Sequence, residues 1–123
     1  MVTGQTARQY YAEREARRRG QREQERAWWL RRVREAVPDI ARRHAGIKRV
    51  YLFGSLTQPG RFRGDSDIDV AVESDSPEVE SAFWRDLERA LGREVDVRSW
   101  SEVAGFVHGW EEVYGREGPA SGE

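Results

Sequence analysis

The sequence predicts an α/β (α+β) fold, a small mixed β-sheet with helices packed on one side, preceded by a long charged N-terminal helix. Apolar residues recur at three- and four-residue steps between residues 27 and 44, as on one face of a helix. Two strand-like segments follow, Lys48–Phe53 and Asp67–Glu73, each close to glycine-containing turns. A helical stripe over Glu78–Leu91 then leads into a third strand, Glu94–Trp100. A chain of 123 residues suits one small domain built from these elements.

The N-terminal segment is the first element. Residues from about Thr6 to about Arg26 are almost entirely charged or helix-forming, so we expect a solvent-exposed helix with a candidate break at Gly20. Pro38, inside the next helical pattern, predicts a kink or a restart. The chain is therefore divided into a charged helical extension, a main domain and a disordered tail, at 1–26, 27–116 and 117–123.

Beyond the third strand the pattern is weaker. Ser101 is a candidate cap for a short helix running to about His108. The following stretch, "GWEEVYG", is either a last turn or a short strand.

Charge is distributed unevenly along the chain, although the net charge is −1. Residues 1–49 hold 14 Lys and Arg against 6 Asp and Glu, whereas residues 50–123 hold 7 against 16. A solvated helix joined to an acidic domain explains this as well as a basic arm that touches nucleic acid or an acidic partner. Of the adjacent Trp28 and Trp29, at least one is expected to be exposed or covered by a partner, because both cannot face one core.

Composition also limits the class of protein. The chain has no cysteine, which excludes a disulfide framework and a Cys-ligated metal. The N-terminus has no apolar signal-peptide region, and no later run approaches the length of a membrane span. We therefore expect a cytoplasmic protein without membrane association.

Three aspartates are the candidates for chemistry. The strand "DIDVAVE" alternates, so Asp67 and Asp69 lie opposite its apolar face and are about 7 Å apart along the chain. Asp96 lies opposite the apolar face of the third strand and joins them if the two strands pair. Carboxylates this close repel one another unless a cation lies between them, and Mg²⁺ is a hard cation that oxygen ligands bind. Any one aspartate alone is better explained as a solvated strand end, but the three together favour a site.

A Gly-Ser pair, Gly54 and Ser55, directly follows the first strand. Glycine permits close approach of backbone to a ligand, and free N–H groups with a hydroxyl form a cradle for phosphate oxygens. The pair is common in loops, so its value comes from its position between a strand and the Asp-x-Asp strand.

Taken together, "VYLFGSLTQPGRFRGDSDIDVAVE" and Asp96 in "EVDV" resemble the minimal nucleotidyltransferase (MNT) family of the polymerase-β-type superfamily. The resemblance covers roughly Ala27 to Arg116, so it names the domain 27–116 a nucleotidyltransferase domain. The spacer "LTQPGRFRGDS" has eleven residues, one more than is usual in the family, and lacks the usual arginine. Arg61 or Arg63 either replaces that cation or is a solvated loop residue.

The resemblance implies a reaction and a role for each residue. The enzyme would transfer AMP, or another nucleoside monophosphate, from a nucleoside triphosphate such as ATP, with pyrophosphate leaving. Gly54 and Ser55 would hold the triphosphate, and Ser66 would orient the Asp strand. The ligands of two Mg²⁺ ions would be Asp67, Asp69 and Asp96, and Asp96 would also help to activate the attacking hydroxyl.

The resemblance also implies a partner. Members of the family commonly act as antitoxins beside a HEPN-domain RNase toxin, which suggests AMP transfer onto a toxin tyrosine, in a homo-oligomer or a hetero-oligomer. One alternative is a non-catalytic antitoxin, a binding module that masks the toxin. A weaker alternative is nucleic-acid binding by the Arg-rich helix, because no groove-reading motif accompanies it.

Overall fold

The computed structural model describes residues 4–116 of the chain. Three helices, four strands and a short 3-10 helix follow one another in those residues. In chain order they are α1 (Gly4–Ala41), β1 (Ile47–Phe53), the 3-10 helix (Gly54–Thr57), β2 (Ile68–Ser74), α2 (Pro77–Leu91), β3 (Val95–Ser99), α3 (Trp100–Val103) and β4 (Trp110–Gly115).

The strands form one mixed sheet in the order β3-β2-β1-β4. β1 pairs antiparallel with both β2 and β4, and β2 pairs parallel with β3. A parallel pair needs a crossover connection, which α2 provides. The predicted mixed α/β sheet is therefore confirmed, and the stretch "GWEEVYG" is a strand at the sheet edge rather than a turn.

The main core lies between the sheet and helices α1 and α2. The alternation read from β2 is confirmed, because Ile68, Val70 and Val72 are buried on the helix side. Val33 and Val37 of α1 and Phe83 of α2 cover them from one side, as predicted. Burying this many aliphatic side chains is the main source of stability for a domain of this size.

A second, smaller cluster lies on the opposite face of the sheet. Tyr51, Ala71 and Val103 are its buried members, and Trp100 packs against them. Val103 comes from α3, which is one turn long and so is shorter than the predicted helix from Ser101 to about His108. Turn-type hydrogen bonds from the amides of Phe106 and Val107 to the Val103 carbonyl replace further helical turns.

Helix α1 is longer and more continuous than the sequence predicts. It runs through Gly20 and through Pro38 as a single 38-residue helix, so the expected break and restart are both wrong. Pro38 removes one backbone hydrogen bond, but Val37, Ile40 and Ala41 are buried around it, and this packing offsets the loss. The boundary drawn at residue 26 falls inside the helix.

The surface of α1 changes character along its length. Residues 8–21 are all exposed, as predicted for the charged extension. Trp28 is 50% exposed whereas Trp29 packs against the core, which confirms that the two do not share one environment. Within residues 4–116, no helix combines the length and the apolar character needed to cross a membrane.

Continuity through Gly20 gives a first prediction. An added Cβ meets no atom within 4 Å there. Gly20→Ala should therefore stabilise α1 locally by about 0.5–1 kcal/mol, because alanine loses less backbone entropy in a helix. Slower amide hydrogen exchange in the neighbouring turns measures this gain.

Gly92 provides the matched control. It caps α2 with φ +68, in the left-handed region, and also has nothing within 4 Å of an added Cβ. Gly92→Ala should destabilise the domain by about 1 kcal/mol in thermal or urea unfolding. Faster exchange around residue 20 in Gly20→Ala would contradict a continuous helix.

Candidate active site

The register of the sheet brings two of the predicted aspartates side by side. Asp69 of β2 pairs with Phe53 of β1 on one side and with Asp96 of β3 on the other. Both carboxylates point away from the helix-covered core, since Val70 and Val97, their chain neighbours, are buried in it. Asp67 comes one residue before β2 and is exposed. The pairing that the sequence left conditional is therefore present.

The carboxyl group of Asp69 is strongly affected by its surroundings. Its pKa is raised from 3.8 to about 6, first by burial and then by the negative charges of Asp96 and Asp67. Arg98 acts in the opposite direction, lowering that pKa. A carboxylate that its neighbours destabilise in this way is favourably placed to accept a cation.

The three carboxylates interact electrostatically but do not surround a common metal position. Asp96 Oδ2 accepts a hydrogen bond from Arg98 Nε at 3.1 Å, so a cation of the protein already holds one of them. In residues 4–116, no group of three or more His, Asp or Glu side chains is close enough together to hold a metal ion. The donor chemistry nevertheless fits Mg²⁺, because every donor is a carboxylate oxygen and the charges of Asp96 and Asp67 repel that of Asp69.

Gly54 lies directly against Asp69. Its φ is +76, which favours glycine, and an added Cβ would overlap the Asp69 carboxylate. The chain therefore turns out of β1 in a conformation that only glycine satisfies, and the carboxylate occupies the space that results. This close approach joins the Gly-Ser turn and the Asp-x-Asp strand into one site.

The Gly-Ser pair opens the 3-10 helix Gly54–Thr57. Thr57 donates its hydroxyl to the Gly54 carbonyl at 2.9 Å, which closes the turn. The hydroxyl of Ser55 makes no hydrogen bond with the part of the chain that the structure describes, and Ser55, the residue after Gly54, is half-buried. Ser55 thus keeps a donor for an incoming ligand.

Helix α1 holds the loop between Ser55 and Asp67 in place. Arg26 donates to the Leu56 carbonyl at 3.0 Å, and Glu23 accepts from the Gly60 amide at 2.6 Å. The Gly60 hydrogen bond is the largest cause that lowers the pKa of Glu23. Both contacts come from the segment before residue 27, so the end of the charged extension supports the site.

Arg93 fixes the last part of the same loop. Its guanidinium donates to the carbonyls of Gly64, at 3.2 Å, and of Ser66. It also lies over the rings of Trp29 and Phe62, 4.7 and 5.3 Å from their centroids, and Phe62 is buried. Ser66 itself accepts a hydrogen bond from the Arg63 amide at 2.8 Å, and its expected role in orienting the Asp strand stays a prediction.

Sequence reasoning missed Arg98, Arg93, Arg26 and Glu23. A signal for Arg98 was present, because it follows Asp96 by two positions on a strand and so shares its face. The others act over long sequence separations and left no local signal. Arg61 and Arg63, the proposed substitutes for the missing loop cation, are both exposed.

The raised pKa of Asp69 predicts a pH-dependent stability. The unfolded chain releases this proton near pH 3.8 and the folded protein near pH 6, so the folded state binds more protons between them. Ionised Asp69 therefore lowers stability as pH rises through that window and keeps it lower above it. In a chelator, Asp69→Asn should raise the melting temperature by a few degrees at pH 8, a modest gain because the site is partly hydrated.

The same difference should vanish below about pH 3.8. Glu35→Gln, which removes an exposed carboxylate of α1, is the control and should change the melting temperature little at any pH. A lower melting temperature for Asp69→Asn at pH 8 would show that the carboxylate is favourably paired rather than repelled.

The family model described as "Polymerase beta, Nucleotidyltransferase" matches residues 35–109, which include the Gly-Ser turn and all three aspartates. No curated protein sequence matches the chain.

Two solved structures that are similar to this chain in fold are toxin–antitoxin proteins. One is a MntA–HpeT mutant in which two aspartates, two positions apart, are glutamates; it is 19% identical, with a TM-score of 0.53. Another is a toxin–antitoxin with AMP-PNP, 22% identical, with a TM-score of 0.52. Each similarity covers 68% of this chain and 74% of the other.

A third similarity is weaker. The tri-AMPylated Shewanella oneidensis HEPN toxin in complex with MNT antitoxin is 20% identical, covers 68% of this chain and 70% of the other, and has a TM-score of 0.48, too low to carry an inference. Identities at these levels establish a shared fold. The family match, which spans more than half of the sequence, establishes more: the chain belongs to the polymerase-β nucleotidyltransferase family.

Proposed function

We propose that this nucleotidyltransferase is a metal-dependent antitoxin that transfers AMP from ATP to a protein acceptor, a HEPN-domain RNase toxin, and thereby neutralises it. The observation that supports it most is the partly buried Asp69 carboxylate, which Asp96 and Asp67 destabilise and which lies against Gly54. Repelled carboxylates beside an open Gly-Ser turn are suited to a metal-bound triphosphate. We expect such a protein in the cytoplasm, where toxin and ATP meet.

The residues would divide the work as follows. Asp67, Asp69 and Asp96 would hold Mg²⁺, which when bound neutralises phosphate charge. Gly54 and Ser55 would bind phosphate oxygens through backbone amides and the Ser55 hydroxyl. Asp96 would accept the proton of the attacking hydroxyl as it bonds to the α-phosphorus and pyrophosphate leaves. Arg98 is placed to exchange its partner, from Asp96 to an incoming phosphate.

The partner and nucleotide are inferred from the structural neighbours. The two neighbours with TM-scores of 0.52 and 0.53 are toxin–antitoxin proteins. One of them contains AMP-PNP, and the other carries two altered aspartates with the spacing of Asp67 and Asp69. The surface also suits a partner, since Tyr10, Tyr11 and Trp28 of α1 are at least half exposed.

A non-catalytic antitoxin is the second candidate, and one observation favours it. The described acidic residues do not form a ready three-ligand metal site, and Arg98 occupies Asp96. A protein that neutralises its toxin by masking alone needs no closed metal site. The two candidates differ in whether neutralisation requires the aspartates.

Label transfer separates the two functions. With ATP labelled at the α-phosphate, Mg²⁺ and the HEPN partner, the wild-type protein should label the partner, and Asp67→Ala plus Asp69→Ala should reduce labelling by about 100-fold or more. Asp65→Ala removes an exposed loop carboxylate close by and is the matched control. Neutralisation of the toxin that survives the double substitution would favour masking.

The close approach at Gly54 gives a second test of the enzyme. Gly54→Ala places a methyl group on the Asp69 carboxylate and strains a φ of +76. Transfer should fall at least tenfold while the domain loses about 1–3 kcal/mol of stability. Gly60→Ala, with a φ of +80 but nothing within 4 Å of an added Cβ, is the control for strain without steric overlap. Equal losses of transfer in both variants would exclude a specific role for the Gly54–Asp69 contact.

A further inference from the structure

Three aromatic rings form a cluster on the same face of the sheet as Asp69. Tyr51 of β1 and Trp100 of α3 are stacked, with ring centroids 4.1 Å apart. Trp110, the first residue of β4, meets both rings edge-on with centroids 5.4 Å away. Edge-to-face contacts of this kind fix the orientation of a ring. Trp110 is therefore oriented by contacts with two neighbouring rings.

The exposure of the cluster is graded. Tyr51 is only 6% exposed, whereas Trp110 is 51% exposed. Trp110 is thus anchored on one side and open to solvent on the other, although neither core cluster includes it as a buried member. A half-exposed ring that its neighbours already orient loses little further conformational entropy when a ligand binds to it.

The sheet register fixes the separation between the backbone of Trp110 and the backbone of Asp69 in the candidate active site. Trp110 pairs with Phe53, and Phe53 pairs with Asp69. Two strand spacings therefore separate the backbones of Trp110 and Asp69, about 10 Å. Phe53 also precedes Gly54 directly, so the backbone of Trp110 is paired with the residue before the turn proposed to hold phosphates.

Two carboxylate side chains lie next to the aromatic cluster. The Tyr51 hydroxyl donates to Glu73 at 3.0 Å, and Glu112 pairs with Tyr51 across the sheet. Carboxylates next to the rings disfavour phosphate there, whereas they tolerate a neutral ring with amino groups. A phosphate-binding turn at Gly54 and an exposed aromatic ring at Trp110 together match the two ends of a nucleoside triphosphate.

We propose that Trp110 is the stacking platform for the nucleobase of the triphosphate substrate. This inference rests on the proposed function, because it assumes that a nucleoside triphosphate binds at Gly54 and the aspartates. Every base has a face that stacks on an aromatic ring, so Trp110 supplies affinity for the base with little choice among bases. Tyr51 and Trp100 act as positioning residues that hold the ring.

The test compares two ligands that differ by the nucleoside. Calorimetry with Mg²⁺ measures binding of the α,β-methylene analogue of ATP and of inorganic tripolyphosphate. Trp110→Ala should weaken the ATP analogue at least about fivefold and leave tripolyphosphate unchanged, because stacking acts on the base alone. Trp110→Phe should restore most of the affinity, and Trp110→Leu, which keeps apolar bulk, should not. Trp28→Ala, at a ring equally exposed on α1, is the control and should change neither ligand.

Each other outcome overturns the proposal. Equal weakening of both ligands shows that Trp110 supports the fold or the phosphate site, and an unchanged affinity for the ATP analogue shows that the base lies elsewhere. An effect confined to the KM for the protein acceptor assigns the ring to that acceptor. In these cases wild-type AMP transfer continues, so the proposed function stands. If the wild-type protein binds neither ligand in a way that depends on the aspartates, both the Trp110 proposal and the proposed function are wrong.

Discussion

The contact between Gly54 and Asp69 is the constraint on which the candidate site depends. The backbone of Gly54 occupies the space beside the carboxylate, and any side chain there would overlap it. The contact exists only because β1 and β2 pair in a register that sets Phe53 opposite Asp69. A slip by one residue would move every side chain of β2 to the other face. The buried set Ile68, Val70 and Val72 therefore fixes the position of the carboxylate as firmly as it fills the core.

The fold was predictable largely because its signals are local. The apolar residues of β2 recur at every second position and those of α2 at every fourth. Both patterns match the buried positions in the structure. Gly20 and Pro38 misled because local propensity is weak beside the cooperativity of a long helix and the packing of its last turns. Strand β4 was ambiguous because an edge strand is not buried on both sides, and only its pairing with β1 decides it.

The candidate site was predictable in part. Spacing and alternation brought Asp67, Asp69 and Asp96 into consideration, and the structure places Asp69 beside Asp96. Nothing local reveals that Arg93 holds carbonyl groups of a loop some thirty residues earlier, or that Glu23 binds the Gly60 amide. Such contacts depend on the packed tertiary structure. The role of the three aspartates as metal ligands stays a prediction.

Helix α1 links this site to a distant surface. Residues 8–21 are exposed, whereas Glu23 and Arg26 of the same helix bind the loop between Ser55 and Asp67. Fourteen helical residues span about 21 Å, so the exposed part of the helix extends well beyond the loop that Glu23 and Arg26 bind. The Gly60 amide and the Leu56 carbonyl are thus held by the same continuous helix that presents the exposed surface. A helix that ended at Gly20 would leave the exposed surface and the loop without this continuous connection.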